Sequence, residues 1–185
     1  MQDIQSMIPD YAKDLRLNLE AVLGEAGAPG LSARQIAIVS LASAIAARHE
    51  PLTAAVAARA AEVLDARALD GAKTAAAIMA MNNVYYRFTH LVGNAEYAAL
   101  PARLRMNGMA NPGIDRVDFE LASLAVSAIN GCGLCIESHE KTLRQHGITM
   151  QSIQSAVRIG AVLAAVATTL EQAAAARVEA LPAAA

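Results

Sequence analysis

The segment Asn130–His139, NGCGLCIESH, holds the groups in this sequence best suited to chemistry. Cys132 and Cys135 are three residues apart, and His139 follows Cys135 by four. On a helix, positions i, i+3 and i+7 share a face, so two thiols and an imidazole would point the same way. Sulfurs one turn apart can close into a disulfide with little backbone movement. Cys132 falls at the expected helix start, where the positive end of the helix dipole favours a thiolate. His139, one turn beyond Cys135, is placed to take the proton of that thiol, directly or through a water. A thiolate is the nucleophile in peroxide reduction and in thiol–disulfide exchange. A sulfenic acid formed on one cysteine condenses with the other, releasing water and leaving a disulfide for a donor dithiol to reopen.

Two other readings use the same residues. Cys-x-x-Cys at helical spacing can be a pair of small core residues; the nearby histidine and the glycine-bounded helix start argue against it. Zinc takes four protein ligands in structural sites and three plus an open position in catalytic ones. Cys132, Cys135 and His139 would supply three, crowded on one helix face, and the sequence has neither a second cysteine pair nor a His-x₃₋₅-His. No metal is therefore expected. Glu120 lies twelve residues before Cys132. On one continuous helix that offset turns it about 120° away from the cysteines. A break at Asn130-Gly131 would let it fold back towards His139, but periodicity alone does not place it there. The plainer alternative is a carboxylate in a first helical turn, favoured by the dipole. Glu137 and Glu140 read as solvated, and His146 as a helix C-terminal residue. His49 and His90 have no evident partners and read as surface or satisfied residues. Tyr85 and Tyr86 read as pocket lining or as core residues with a hydrogen-bonded tip.

The elements that must position these groups are helices. Of the 185 residues, 55% are hydrophobic but only 3% aromatic, and much of the apolar content is alanine, the best helix former. Strand-favouring residues are too sparse for a large sheet. The spacing of apolar residues predicts helices over Pro9–Leu23, from a Ser32 cap to Ala47, over Leu52–Val63 and over Asp70–Leu91. A short segment, Glu96–Met106, and a loop, Asn107–Asp115, follow. Asp118 is expected to cap a helix over Phe119–Asn130. After the Asn130-Gly131 break, helices are expected from Cys132 to Gln145, stopped by Gly147, and from Thr149 towards Val178, with a loose Leu181–Ala185 tail. The result is an all-α single domain over 1–185 with about eight helices. A faint internal echo, Ser40–Leu52 against Ser123–Cys135 with one residue inserted, suggests two similar halves. Only the second half, about 116–180, carries the dithiol; Arg48 and Pro51 stand where the cysteines stand.

The net charge of −2, without a Lys/Arg cluster, argues against a nucleic-acid partner. Ala156–Leu170, the best apolar stretch, carries Arg158 and falls short of the about 18 residues that span a bilayer, so no membrane association is expected. The start, MQDIQSMIPDYAKDLR, lacks the features of a signal peptide. The expectation is a cytoplasmic protein, where a permanent structural disulfide is disfavoured.

The combination of Glu120, eleven intervening residues, Cys-x-x-Cys and then His139 resembles the AhpD family of alkylhydroperoxidases. So do Pro9–Leu19 (PDYAKDLRLNL), Ala76–Arg87 (AAIMAMNNVYYR), Leu104–Leu121 (LRMNGMANPGIDRVDFEL) and Ser127–Arg144 (SAINGCGLCIESHEKTLR). The resemblance covers nearly the whole chain and is weakest at Gly24–Gly30. It implies an AhpD-like helical fold shared with carboxymuconolactone decarboxylases, assembled as a homotrimer. It also implies a relay in which Glu120 reaches His139, helped by water, with Cys135 as the activated cysteine and Cys132 as its disulfide partner. Helix dipole and base disagree on this point, since the dipole favours Cys132. The adjacent base moves the proton as well as stabilising charge, so Cys135 is the expected attacker. The implied substrates are hydrogen peroxide and organic hydroperoxides. No tightly bound cofactor is implied; electrons come from the lipoyl group of a lipoylated dihydrolipoamide acyltransferase and can pass on to the peroxiredoxin AhpC. One well-studied form of the motif has a histidine where this chain has Leu134, so an auxiliary proton donor is missing here. A dithiol electron-transfer adaptor with little peroxidase activity, and a decarboxylase-like enzyme on the same fold, are the alternatives.

Overall fold

The computed structural model describes residues 1–179, with side chains to Ala176. The expected loose Leu181–Ala185 tail lies outside them. Among the described residues ten helices run in order: α1 Gln2–Met7, α2 Lys13–Val22, α3 Ala33–Ala47, α4 Glu50–Ala60, α5 Ala66–Leu91, α6 Ala95–Ala99, α7 Asn107–Ala110, α8 Arg116–Ile129, α9 Gly133–Gln145 and α10 Met150–Glu179. A 3-10 turn, Asp10–Ala12, precedes α2. No strand occurs among the described residues. The all-α reading holds; the additions to the expected set are the short α1 and α7, each too brief to show a periodic pattern.

Helices α3, α8 and α10 pack on one another at the centre, and α5 covers α3 and α8. The sequence explains why α3 and α8 are central. In α3, Ile36 and every residue from Ile38 to Ala44 are buried. In α8, every residue from Asp118 to Ser127 is buried. A helix without a solvated face must be surrounded. Small residues permit the close approach: a Cβ on Gly160 of α10 would sit 3.3 Å from the Ala125 carbonyl oxygen of α8. Ile38, Leu41, Phe119, Leu121, Leu124, Ile159 and Leu163 fill this core. By length and composition, α10 is apolar enough over Met150–Ala176 to cross a bilayer. Half of its most apolar window is buried inside the fold.

Helix starts follow side-chain caps, and several lie earlier than the periodicity suggested. Ser32 forms the expected cap, reinforced into a capping box by Gln35. Asp65, not Asp70, starts α5 by accepting from the Ala68 amide. Asp115, not Asp118, caps α8 through the Val117 amide at 2.8 Å. Asp118 lies one turn in, buried, with Arg34 Nε 3.4 Å from its Oδ2. Burial pushes its carboxyl above the usual range, against hydrogen bonding from Gln35 and the charge of Arg34. Of the two readings of His49, surface or satisfied, the second holds: it is buried, and its Nδ1 accepts from the Leu52 amide at 3.1 Å to start α4 at Glu50.

The two echoing segments both form a helix, a left-handed residue and a second helix. Arg48 (φ 61°) and Gly131 (φ 67°) supply the left-handed residue, and His49 and Cys132 are the N-caps that follow. In this geometry Cys132 matches His49 and Cys135 matches Leu52, so the inserted residue in the sequence comparison displaced the equivalence by one.

Candidate active site

The break at Asn130-Gly131 is what assembles the site. Gly131 takes φ 67°, a conformation that costs little without a Cβ. The Cys132 amide then donates to the Ser127 carbonyl at 3.1 Å, and α9 turns back along α8. Helix α5 holds the turn from outside. Asn83 Nδ2 donates to Ser127 Oγ at 2.9 Å, Asn130 Nδ2 donates to Asn83 Oδ1 at 3.0 Å, and Arg87 donates to the Asn130 carbonyl at 2.6 Å.

Folding back brings Glu120 of α8 to His139 of α9. The Glu120 carboxylate accepts from His139 Nδ1 at 2.6 Å through Oε2 and from Arg116 at 2.6 Å through Oε1. Glu120 and His139 are both buried, whereas Arg116 is half-exposed. The carboxylate thus anchors the imidazole from behind, with hydrogen on Nδ1 and Nε2 turned forward. Nε2 lies 3.3 Å from the thioether sulfur of Met79 on α5. Arg116 also donates to the Met109 carbonyl at 2.9 Å, tying α7 to the same carboxylate.

Cys132 and Cys135 are joined in a disulfide, with their Cα atoms 5.3 Å apart. Cys132 is fully buried at the N-cap of α9, and Cys135, 7% exposed, lines a cavity. That cavity, about 290 Å³, is bounded by Met79, Asn82 and Tyr86 of α5, Met106 and Met109 at α7, and Leu134, Cys135, Ser138 and His139 of α9. Cys135 and the imidazole therefore line the same small, largely apolar space. Leu134, where a histidine would stand in the other form of the motif, is 38% exposed and lines the same cavity.

All four expected residues, Glu120, Cys132, Cys135 and His139, are gathered at one place. Glu137 and His90 are exposed, and neither lines the cavity. Tyr86 lines the cavity and Tyr85 does not. Sequence reasoning missed Arg116, Met79, Asn82, Asn83 and the α7 methionines. Two signals were available: Arg116 and Glu120 are i, i+4 on α8, and Met79, Asn82 and Tyr86 repeat the i, i+3, i+7 spacing of Cys132, Cys135 and His139. Nothing in the sequence alone aimed those two faces at each other.

Residues 95–178 match the model of the Carboxymuconolactone decarboxylase family. The chain is 55% identical to the alkyl hydroperoxide reductase AhpD of a Bradyrhizobium species over 174 residues, 94% of each chain. It is 53% identical to the AhpD of Rhodospirillum centenum, over 92% of this chain and 90% of that one. Against the AhpD of Coxiella burnetii the identity is 55%, over 88% of this chain and 92% of that one. With identity at this level spanning nearly the full length, and a cysteine pair beside a carboxylate-held imidazole, the chain belongs to the AhpD family of alkyl hydroperoxide reductases, which are oxidoreductases.

Proposed function

We propose that the chain reduces hydrogen peroxide and organic hydroperoxides through a cycle in which Cys132 and Cys135 alternate between dithiol and disulfide. The observation that carries this reading is the sharing of one cavity by Cys135 and by His139, itself held by Glu120. In the reduced state His139 Nε2 accepts the Cys135 proton, and the Glu120 carboxylate, itself held by Arg116, balances the imidazolium. The Cys135 thiolate attacks the hydroperoxide, an S–O bond forms as the O–O bond breaks, and the proton on His139 passes to the leaving alkoxide. Cys132 then displaces water from the Cys135 sulfenic acid and restores the disulfide.

The donor in this reading is the dihydrolipoyl group of a lipoylated dihydrolipoamide acyltransferase, acting in the cytoplasm, with no resident cofactor or metal. Its thiolate attacks Cys135, the sulfur that lines the cavity, and Cys132 leaves. The peroxiredoxin AhpC is a further electron acceptor. Self-association as a trimer is supported by a strip of exposed apolar side chains on α5 and α6: Val84, Phe88, Leu91 and Tyr97.

The test is a titration of free thiols in pre-reduced protein before and after one equivalent of hydroperoxide. Loss of two thiols and a Cys132–Cys135 disulfide in the mass spectrum are expected. In Cys132→Ser, limiting peroxide should leave a sulfenic acid on Cys135. Finding it only on Cys132 of the reciprocal Cys135→Ser protein would reverse the two roles. Peroxide turnover only when AhpC is present would replace the peroxidase with an electron-transfer adaptor. An activity that survives replacement of both cysteines would favour decarboxylase-like chemistry on this fold.

A further inference from the structure

We propose that Met79 is a positioning residue for the thiol chemistry: its thioether sulfur accepts the hydrogen on His139 Nε2 and holds the proton taken from Cys135 until the leaving alkoxide claims it. The proposal rests on the reading of His139 as the base for Cys135 and adds to it the group that meets the forward nitrogen of the ring.

The imidazole is held from two helices. On one edge Nδ1 donates to Glu120 of α8 at 2.6 Å, and on the other Nε2 lies 3.3 Å from Met79 Sδ of α5. His139 is 5% exposed and Met79 1%, so little water competes for that contact. The two contacts differ in how they depend on protonation. Glu120 accepts from Nδ1 in the neutral ring and in the imidazolium alike. At Nε2 the neutral ring presents a lone pair to a sulfur that has no hydrogen to give, and gains nothing. The imidazolium presents an N–H to the same sulfur and gains a hydrogen bond. A bond made only by the charged form favours the charged form. An N–H···S pairing of this kind recurs on the same wall, where Asn82 Nδ2 donates to Met109 Sδ at 3.2 Å. Asn83 Nδ2, 4.0 Å from Met79 Sδ, is no rival, because it donates to Ser127 Oγ at 2.9 Å.

The weakness of the acceptor suits the step. The S–H bond of Cys135 breaks as an N–H bond forms on Nε2, leaving a thiolate beside an imidazolium. The same N–H must break again when the alkoxide takes the proton. A carboxylate in place of Met79 would pair with the imidazolium and keep the proton. A hydrocarbon would leave the N–H without a partner and return the proton to sulfur. A thioether lies between the two. The titratable and charged groups around the ring are Glu120 and Arg116 of α8, Cys135 of its own helix and Tyr86 of α5, which lines the same cavity. Helix α10 also packs on α9, and among the described residues it brings no group into hydrogen-bond contact with His139.

The test is alkylation of Cys135 by iodoacetamide as a function of pH, in full-length, pre-reduced Cys132→Ser protein, where the rate follows the thiolate. In Met79→Leu, similar in volume and unable to accept, the midpoint should move up by about half a pH unit and the rate at neutral pH should fall about threefold, the worth of one weak hydrogen bond. The alkaline plateau should stay within about twofold of the parent, whereas a packing defect would lower the plateau and leave the midpoint in place. Met79→Gln restores an acceptor, stronger than the thioether, so its midpoint should fall at or below that of the parent; it decides the matter if the leucine variant does not fold. With His139→Asn already present, Met79→Leu should leave the profile unmoved. A Met79→Leu midpoint at the parent value, a Met79→Gln midpoint above it, or a shift that persists without His139 overturns the proposal and leaves the peroxidase reading standing. A profile that His139→Asn by itself does not move overturns the base role on which both rest.

Discussion

Replacing Glu120 by glutamine tests whether the carboxylate acts through His139. The side chain keeps its shape; its single amide oxygen can still accept from His139 Nδ1, while its NH2 turns towards Arg116, which is half-exposed and can swing to solvent, so the fold should survive. What it loses is charge at a 2.6 Å contact between buried groups. A hydrogen bond to a charged group is worth about 1.5–3 kcal/mol and is roughly twice as strong as a neutral one. The glutamine therefore gives up about 0.8–1.5 kcal/mol of support for the imidazolium that forms when His139 takes the thiol proton. If that support is felt in full at the transition state, thiol oxidation slows by about four- to thirteenfold. His139→Asn removes the base altogether, a loss on the order of 10²-fold or more. The informative protein is the double variant. If Glu120 acts only by holding and balancing His139, then Glu120→Gln adds nothing once His139 is gone, and the double variant matches His139→Asn within about twofold. The chain has no Trp, so the assay is single-turnover mixing with hydroperoxide, acid quench and titration of free thiols. A double variant slower than His139→Asn by the full single-variant factor would refute the relay and give Glu120 an independent role.

The buried Asp118 gives stability a pH dependence whose sign follows from its raised folded value. The protonated form is favoured by folding, so its contribution is present below the unfolded value of 3.8 and is lost as pH rises through the folded one. Denaturant unfolding at several pH values should show the parent losing stability relative to Asp118→Asn across that window; parallel curves would contradict the assignment. His49→Ala removes the α4 cap and should cost about 0.5–2 kcal/mol in urea unfolding, with none of that effect at exposed His90. Gly30→Ala meets both a φ of +83° and a Cβ position 2.4 Å from Ser152 Oγ, so it should lower the thermal midpoint by several degrees; an unchanged midpoint would mean the turn relaxes freely.

What the sequence determined by itself was local. Alanine-rich composition and periodicity specify helices, because helical hydrogen bonds and rotamer entropy are settled within a few residues. Cys132 and Cys135 could be paired because their separation is one helical turn, a distance no tertiary contact alters. The starts capped by Asp65 and Asp115 were placed too late because each helix carries a second aspartate within its first turns, Asp70 or Asp118, and which one reaches an amide depends on where the chain enters. The meeting of Glu120 with His139 was decided only in three dimensions. It needs Gly131 to reverse the chain, α9 to lie along α8, and α5 to clamp the turn through Asn83 and Arg87. The cavity belongs wholly to that level. Met79, Asn82 and Tyr86 look like an ordinary helix face until α5 is packed against α9. A site built from two faces has no signature in either alone, because the burial that sets one thioether against one ring nitrogen is a property of the packed whole.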